Sequence, residues 1–123
     1  MDSFNENYRQ KTKQLALMII KLYPKLKTRE ELRIIGLQLL RSSTSVAANF
    51  RATCVARSDA EHFSKLSIVI EECDETLLRL ELLEAIGFSE KDTITECKKE
   101  TLSILKVMSK SRKTIRSKRT MTK

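Results

Sequence analysis

The sequence predicts an all-α protein that folds as an antiparallel up-and-down four-helix bundle. Two observations carry this prediction. The chain of 123 residues contains only two glycines and one proline, and its apolar side chains recur at three- and four-residue steps in four long runs. Four amphipathic helices with short connections pack best with each helix antiparallel to the next. The length, with no linker between the runs, predicts a single domain over residues 1–123.

The first two helices are predicted from this spacing and from start and stop signals. The first helix runs from Asn5 to about Tyr23. Pro24 ends or kinks it, because proline removes a backbone donor and clashes with the preceding turn. The second helix begins at Thr28, whose hydroxyl forms a capping box with the carboxylate of Glu31, and it continues to about residue 56.

The third helix begins at a second capping box, formed by Ser58 and Glu61, and runs to about Ile86. Gly87 is expected to cap its end. One row of its apolar residues forms a heptad-like seam, consisting of Phe63, Leu66, Ile70, Cys73, Leu77 and Leu80. A second set lies outside that seam, consisting of Ile68, Val69, Leu78, Leu82, Leu83 and Ile86. So wide an apolar surface indicates either a centrally buried helix or a subunit interface.

The fourth helix begins near Ser89 and ends in a basic C-terminal extension of about residues 106–123. Residues 101–123 contain eight basic and no acidic side chains, so the whole net charge of +8 lies in this stretch. Such a segment neutralises phosphates without reading sequence, which predicts weak binding of RNA or DNA. The alternative is a solvated, frayed helix end. The candidate nucleic-acid-binding residues are Lys106, Lys110, Arg112, Lys113, Arg116, Lys118, Arg119 and Lys123.

The second helix contains a run of small and polar residues, Ser42 to Asn49. The run could line a groove or a pore. We favour close helix packing instead, with hydroxyls bonded to carbonyls of the preceding turn, because serine and threonine commonly bond in this way within helices. Asn49 is expected to make a buried hydrogen bond with a neighbouring helix.

The side chains needed for most catalytic and metal sites are not found. A di-iron bundle needs Glu-x-x-His on two helices, whereas this chain has one histidine and only the related Asp59-x-x-His62. A glycine-rich phosphate loop and a Ser/His/Asp set are also absent. We therefore expect no metal, no cofactor and no enzymatic activity. The carboxylates of the third helix (Glu71, Glu72, Asp74, Glu75 and Glu81) are expected to pair with Arg57, Lys65 and Arg79, either within the chain or across subunits.

The cysteines and the apolar segments predict a cytoplasmic location. Cys54, Cys73 and Cys97 have neither disulfide nor metal spacing and fit small buried side chains in a reducing compartment. The apolar stretch at residues 15–20 is too short to cross a membrane.

The central stretch resembles the 23S rRNA intervening-sequence (S23-like) proteins. The resemblance begins with RSSTSVAANFRA at residues 41–52 and continues through ARS at residues 56–58 to DETLLRLELL at residues 74–83. Ser43 departs from a common glycine, and Arg79 stands where an aromatic residue is frequent. The structural motif residues within the resemblance are Arg41, Ser42, Thr44, Ser45, Asn49, Arg57, Ser58 and Glu61.

The resemblance implies a left-handed four-helix bundle that often assembles as a homopentamer and is not an enzyme. Related accessory proteins of diversity-generating retroelements form basic pentameric barrels that bind nucleic acid. Three hypotheses remain. The first is a homo-oligomer, with a pentamer favoured, that binds nucleic acid without strong sequence preference. The second is an adaptor that recruits a protein partner through the apolar or acidic surface of its third helix. The third, which the ligand count disfavours, is a metal-dependent bundle enzyme.

Overall fold

The computed structural model describes the backbone of residues 3–121 and the side chains of residues 3–116. The helices are α1 (Ser3–Leu26), α2 (Glu30–Cys54), α3 (Asp59–Ala85) and α4 (Lys91–Met121). Each helix packs against the two beside it, in the ring order α1, α2, α3, α4 and back to α1. The all-α, up-and-down four-helix bundle is therefore confirmed, and its left-handed sense stays a prediction.

The core runs along the bundle axis and receives large apolar side chains from every helix. Burial of these side chains is the main force that holds helices of this kind together, because helix propensity alone is weak. The fully buried side chains include Leu15 and Ile19 of α1, Leu39 and Phe50 of α2, Leu66 and Leu80 of α3, and Ile104 and Met108 of α4.

The apolar surface of α3 divides in a way that its spacing did not predict. Val69 and Leu83, which were expected outside the seam, are fully buried. The side chains of Leu78, Leu82 and Ile86 are exposed, by 52, 42 and 52% respectively. The α3 helix thus serves the core and also presents an uncovered apolar strip to solvent.

The junction between α1 and α2 differs from the prediction at both ends. Pro24 lies within α1, which continues to Leu26. Leu26 is fully buried, and its packing holds the last turn despite the backbone donor that proline lacks. The predicted capping box at Thr28 is wrong, because Arg29 occupies the N-cap position in an extended conformation without a side-chain cap.

The two ends of α3 follow the prediction closely. The Ser58 side chain accepts a hydrogen bond from the backbone N–H of Glu61 at 3.1 Å and so caps the helix. Gly87 has a φ of +75°, in the left-handed region that suits glycine. The following N–H of Phe88 donates to the carbonyl of Leu83 at 3.1 Å, which closes the last turn.

Candidate nucleic-acid interface

One end of the bundle collects positive charge from all four helices. Here α1 and α3 begin and α2 and α4 end; we call this the basic end. In residues 3–13, 51–65 and 106–116 the carboxylates are Glu6, Asp59 and Glu61. The cations of the same segments are Arg9, Lys11, Lys13, Arg51, Arg57, Lys65, Lys106, Lys110, Arg112, Lys113 and Arg116. Cations therefore greatly outnumber carboxylates at this end.

The outer side of α4 bears three of these cations in one row. Lys106, Lys110 and Lys113, which we call the basic row, are all exposed. They recur at helical spacing on the side opposite Met108, which is fully buried. Within the described part of the chain no carboxylate pairs with them, although eight ion pairs are formed elsewhere. The basic row is open to a polyanion.

A second pair of cations on α4 lies against α3. The guanidinium carbons of Arg112 and Arg116 lie 5.9 and 5.4 Å from the centre of the Phe63 ring. Arg112 Nη1 also donates to the Ser67 hydroxyl at 3.3 Å. A guanidinium near an aromatic ring is held by attraction to the face of the ring. These two arginines are therefore positioned, unlike the lysines of the basic row.

The predicted basic extension is largely part of the bundle. The α4 helix continues to Met121, and Ile115 remains 92% buried. Residues 106–116 are thus helical and packed on the bundle, and the frayed helix end named as the alternative does not apply to them. Of the predicted binding residues, Lys123 lies outside the described residues, and so do the side chains of Lys118 and Arg119.

The small polar run of α2 packs closely and bonds locally, as favoured from the sequence. The hydroxyls of Ser43 and Thr44 donate to the Leu40 carbonyl at 3.3 and 2.7 Å. Asn49 donates to the carbonyl and the hydroxyl of Ser45, both at 3.0 Å. The expected bond from Asn49 to a neighbouring helix is therefore wrong, because the amide finds its partners one turn earlier.

Ser42 makes the closest polar approach between α2 and α3. Its Oγ lies 2.8 Å from Oγ1 of Thr76, and both residues are fully buried. Thr76 Oγ1 also lies 2.8 Å from the Glu72 carbonyl oxygen. Small side chains at this point let the two helices approach each other.

A charged cluster spans the outer edge of the same helix pair. Arg41 reaches Glu72 at 3.0 Å and Glu75 at 3.5 Å, and Glu75 also pairs with Arg79 at 3.7 Å. Burial alone would raise the pKa of Glu72, but hydrogen bonds to Glu75, Ser45 and Arg41 together lower it. The hydrogen bond with Glu72, followed by burial, raises the pKa of Glu75. The cluster ties α2 to α3.

Of the ion pairs expected within the chain for the α3 carboxylates, only part is formed. The pair between Glu75 and Arg79 is confirmed. Glu72 pairs with Arg41 rather than with Arg57 or Lys65, because α2 passes alongside α3 at that height. Arg57 lies exposed in the turn before α3, at the basic end.

The thiols are placed as small buried side chains. Cys73 and Cys97 are fully buried, Cys54 is half-buried, and none of these three residues forms a disulfide. Burial raises the pKa of Cys73 to about 12 and that of Cys97 to about 11. Both are therefore protonated near neutral pH and weak as nucleophiles or metal ligands. Among the described residues there is no group of three side chains suited to a metal ion.

Sequence reasoning missed the aromatic residues at the basic end. Phe63 was assigned to the α3 seam, yet it is half-buried and lies beside Arg112 and Arg116. Phe4, at the start of α1, exposes 37% of its surface. The topology brings Phe63 next to these two arginines of α4, and it brings Phe4 to the same end of the bundle. The sequence pattern alone does not predict that residues so far apart in the chain lie close together in the fold.

Within residues 3–121, none of the helices is both long enough and apolar enough to cross a bilayer.

Comparisons with known proteins agree with the fold and with the motif of α2 and α3. The family model of the 23S rRNA-intervening sequence protein matches residues 5–110. A crystal structure of a protein of unknown function from the S23 ribosomal protein family of Bacteroides thetaiotaomicron superposes with a TM-score of 0.80. The two chains are 28% identical, and the match covers 89% of this chain and 97% of that chain. No curated protein matches. The chain therefore belongs to the 23S rRNA-intervening sequence protein family.

Proposed function

We propose that this protein is a non-enzymatic, cytoplasmic homo-oligomer that binds RNA or DNA weakly and largely without regard to sequence. The excess of cations at the basic end carries the proposal. Lysine and arginine near phosphates release counterions, which supplies affinity without base readout. The basic row of Lys106, Lys110 and Lys113 is exposed and has no carboxylate partner among the described residues.

The rest of the basic end adds to this charge. Arg112 and Arg116 are positioned by Phe63, and Arg57 lies exposed in the adjacent turn. Contacts with phosphate fix a protein on its nucleic acid but carry no sequence information. A surface built mainly of such contacts supports binding with little sequence preference.

The test is a titration of a variant in which the basic row is neutral. Deleting residues 106–123 would remove the buried Met108 and Ile115 and so would unfold α4. We therefore substitute Lys106→Gln, Lys110→Gln and Lys113→Gln together. Fluorescence anisotropy with a single strand and with a duplex, at two salt concentrations, should show weaker binding and a flatter salt dependence for the variant.

A matched control has the same loss of charge at the opposite end of the bundle. Lys21, Lys27 and Lys91 are exposed there, and the triple glutamine variant at these positions should bind as the unmodified protein does. Equal weakening by both variants would show that only total charge matters. Unchanged binding by the basic-row variant would refute the proposed interface.

The exposed strip of α3 supports self-association. Leu78, Leu82 and Ile86 leave a large apolar area in water, and such areas commonly mark contact surfaces. We propose that a second copy covers this strip, with five subunits favoured because the resemblance of the sequence implies that number. Light scattering of the protein with Leu78→Gln and Leu82→Gln should give the mass of a monomer, whereas Ile20→Gln with Val55→Gln should leave the assembly intact.

The same strip supports a second candidate function, an adaptor that recruits another protein. Glu81 and Glu84, which are exposed beside the leucines, would favour a partner with an apolar and basic surface. A monomeric protein that captures one partner in stoichiometric amount, without absorbance from nucleic acid, would support the adaptor over the nucleic-acid binder.

A further inference from the structure

A cavity of about 320 Å³ lies at the basic end and is bounded by residues of all four helices. Its apolar floor consists of Phe50, Leu66 and Met108, each of which is at most 1% exposed. Pockets that bind small molecules start at about 300 Å³. The volume lies at the lower end of that range and has room for a single base.

The walls of this cavity are polar. They include the side chains of Asn5 from α1, His62 from α3 and Thr114 from α4. Within the described residues, neither the amide of Asn5 nor the imidazole of His62 takes part in a hydrogen bond. Donors and acceptors above an apolar floor match a nucleobase, which has apolar faces and a polar edge.

The rim of the cavity adds an aromatic ring and positive charge. Phe4 lines the cavity with more than a third of its surface exposed. Arg116, which is exposed, follows the lining residue Ile115 along α4. A base that entered the cavity would place its own phosphates near Arg116 and the other cations of the basic end.

We propose that the cavity accepts one unstacked base of a single-stranded nucleic acid, while the surrounding cations hold the flanking phosphates. The proposal rests on the proposed function, because the cations of the basic end bring the strand to the cavity. It adds a preference for single strands and unpaired loops over duplexes, whose bases are stacked and paired. Bases bound by stacking on aromatic side chains are recognised with little regard to sequence.

The test compares two strands of equal length and phosphate number, one of oligothymidine and one fully abasic. The full-length protein should bind the strand with bases about fivefold or more tightly, since stacking of one base gives at least that gain. Thr114→Phe fills the cavity and should remove this difference while leaving the affinity for the abasic strand unchanged. Thr95→Phe, also on an exposed position of α4 but at the opposite end, is the matched control and should keep the difference.

A second variant, His62→Ala, tests the polar wall without adding bulk and should reduce the preference for the strand with bases. Circular dichroism confirms that each variant is folded. Equal affinity of the unmodified protein for both strands would overturn the base site and leave the proposed function standing. Failure to bind either strand at low salt would overturn both. If the folded Thr114→Phe variant loses the same amount of affinity for both strands, the cavity acts through phosphate contacts. That result would also overturn the base site.

Discussion

The hydroxyl groups of Ser42 and Thr76 meet in the buried contact between α2 and α3. Their oxygen atoms are 2.8 Å apart and fully buried. A buried hydroxyl normally needs a partner, since leaving it unpaired is costly. Here the pair also marks the point where small side chains allow the helices to approach.

Two substitutions at Ser42 separate these roles. Ser42→Ala removes one hydroxyl but leaves Thr76 bonded to the Glu72 carbonyl, so we expect a loss of about 1 kcal/mol in the free energy of unfolding. Ser42→Leu adds bulk to the closely packed contact between α2 and α3, and overpacking of this kind typically costs ~1–3 kcal/mol. Urea unfolding measures both. A leucine variant as stable as the unmodified protein would contradict the close approach.

The pKa values of Glu72 and Glu75 are shifted in opposite directions. The pKa of Glu72 is lowered, so its ionised form stabilises the fold above the pKa of the unfolded chain, and this contribution is lost as the pH falls through the lowered value. The pKa of Glu75 is raised, mainly by its hydrogen bond with Glu72. Its contribution is therefore present at low pH and lost as the pH rises through the raised value.

Glu72→Gln tests this coupling, because the amide cannot carry the charge that faces Glu75. We expect the variant to be less stable than the unmodified protein at neutral pH. The difference between their free energies of unfolding should become smaller as the pH falls. We also expect the pKa of Glu75 to move down towards its ordinary value. Carboxyl-carbon NMR titration follows Glu75 directly. A Glu75 titration that is unchanged in the variant would show that Glu72 is not the cause.

At the scale of the helices, sequence signals succeeded where local geometry alone decides the structure. Ser58 and Gly87 cap α3 as expected, because a side-chain cap and a left-handed residue act within one turn. The sequence signals were less accurate at the end of α1 and the start of α2. Of the two effects predicted for Pro24, an end or a kink of α1, the end does not occur, since the buried Leu26 holds the final turn. Thr28 did not cap α2, because the helix begins two residues later.

Gly87→Ala tests the end of α3. A Cβ there would meet no atom within 4 Å, so any loss comes from the positive φ alone. An alanine in the left-handed region costs roughly 1–2 kcal/mol. Gly87→Asn should cost less, because asparagine tolerates this conformation. If both variants unfold at the same temperature as the unmodified protein, residue 87 does not need a positive φ, and α3 does not end in the way described.

Gly36→Ala tests the contact between α1 and α2. A Cβ would lie 3.0 Å from the Tyr23 ring and 3.2 Å from Leu26 Cβ. Alanine favours an α-helix over glycine by ~1 kcal/mol, but Leu26 Cβ is fixed to its backbone and cannot rotate away. We therefore expect a net loss of stability in urea unfolding. A gain near the full helix propensity would show that α1 can shift outward at no cost.

The whole molecule concentrates charge in a way that only the fold reveals. The cations of residues 106–116 were visible in the sequence, and so was the absence of aromatic residues among them. Phe63, which lies beside two of these cations, and Phe4 come from helices that begin at the same end of the bundle. The cavity there also depends on four segments distant in the chain. Spacing along a sequence cannot report such a meeting, because it requires the topology and the packing.

Self-association should multiply the affinity for long strands. Several basic ends in one assembly can engage one strand at once, which raises the effective concentration of each site. The protein with Leu78→Gln and Leu82→Gln should therefore bind a long single strand much more weakly than the unmodified protein, with little change for a strand too short to bridge subunits. Anisotropy with both lengths measures this. Equal loss for both lengths would mean that the leucines act on the binding site itself.

The most direct test of the central claim is the slope of log affinity against log salt concentration for the unmodified protein and a single strand. Each phosphate neutralised contributes about −0.7 to that slope, so the basic row alone predicts a slope of about −2 or steeper. The account predicts this steep line, and a shallower one once Lys106, Lys110 and Lys113 are glutamine. A slope near zero, with binding unaffected by salt, would contradict it.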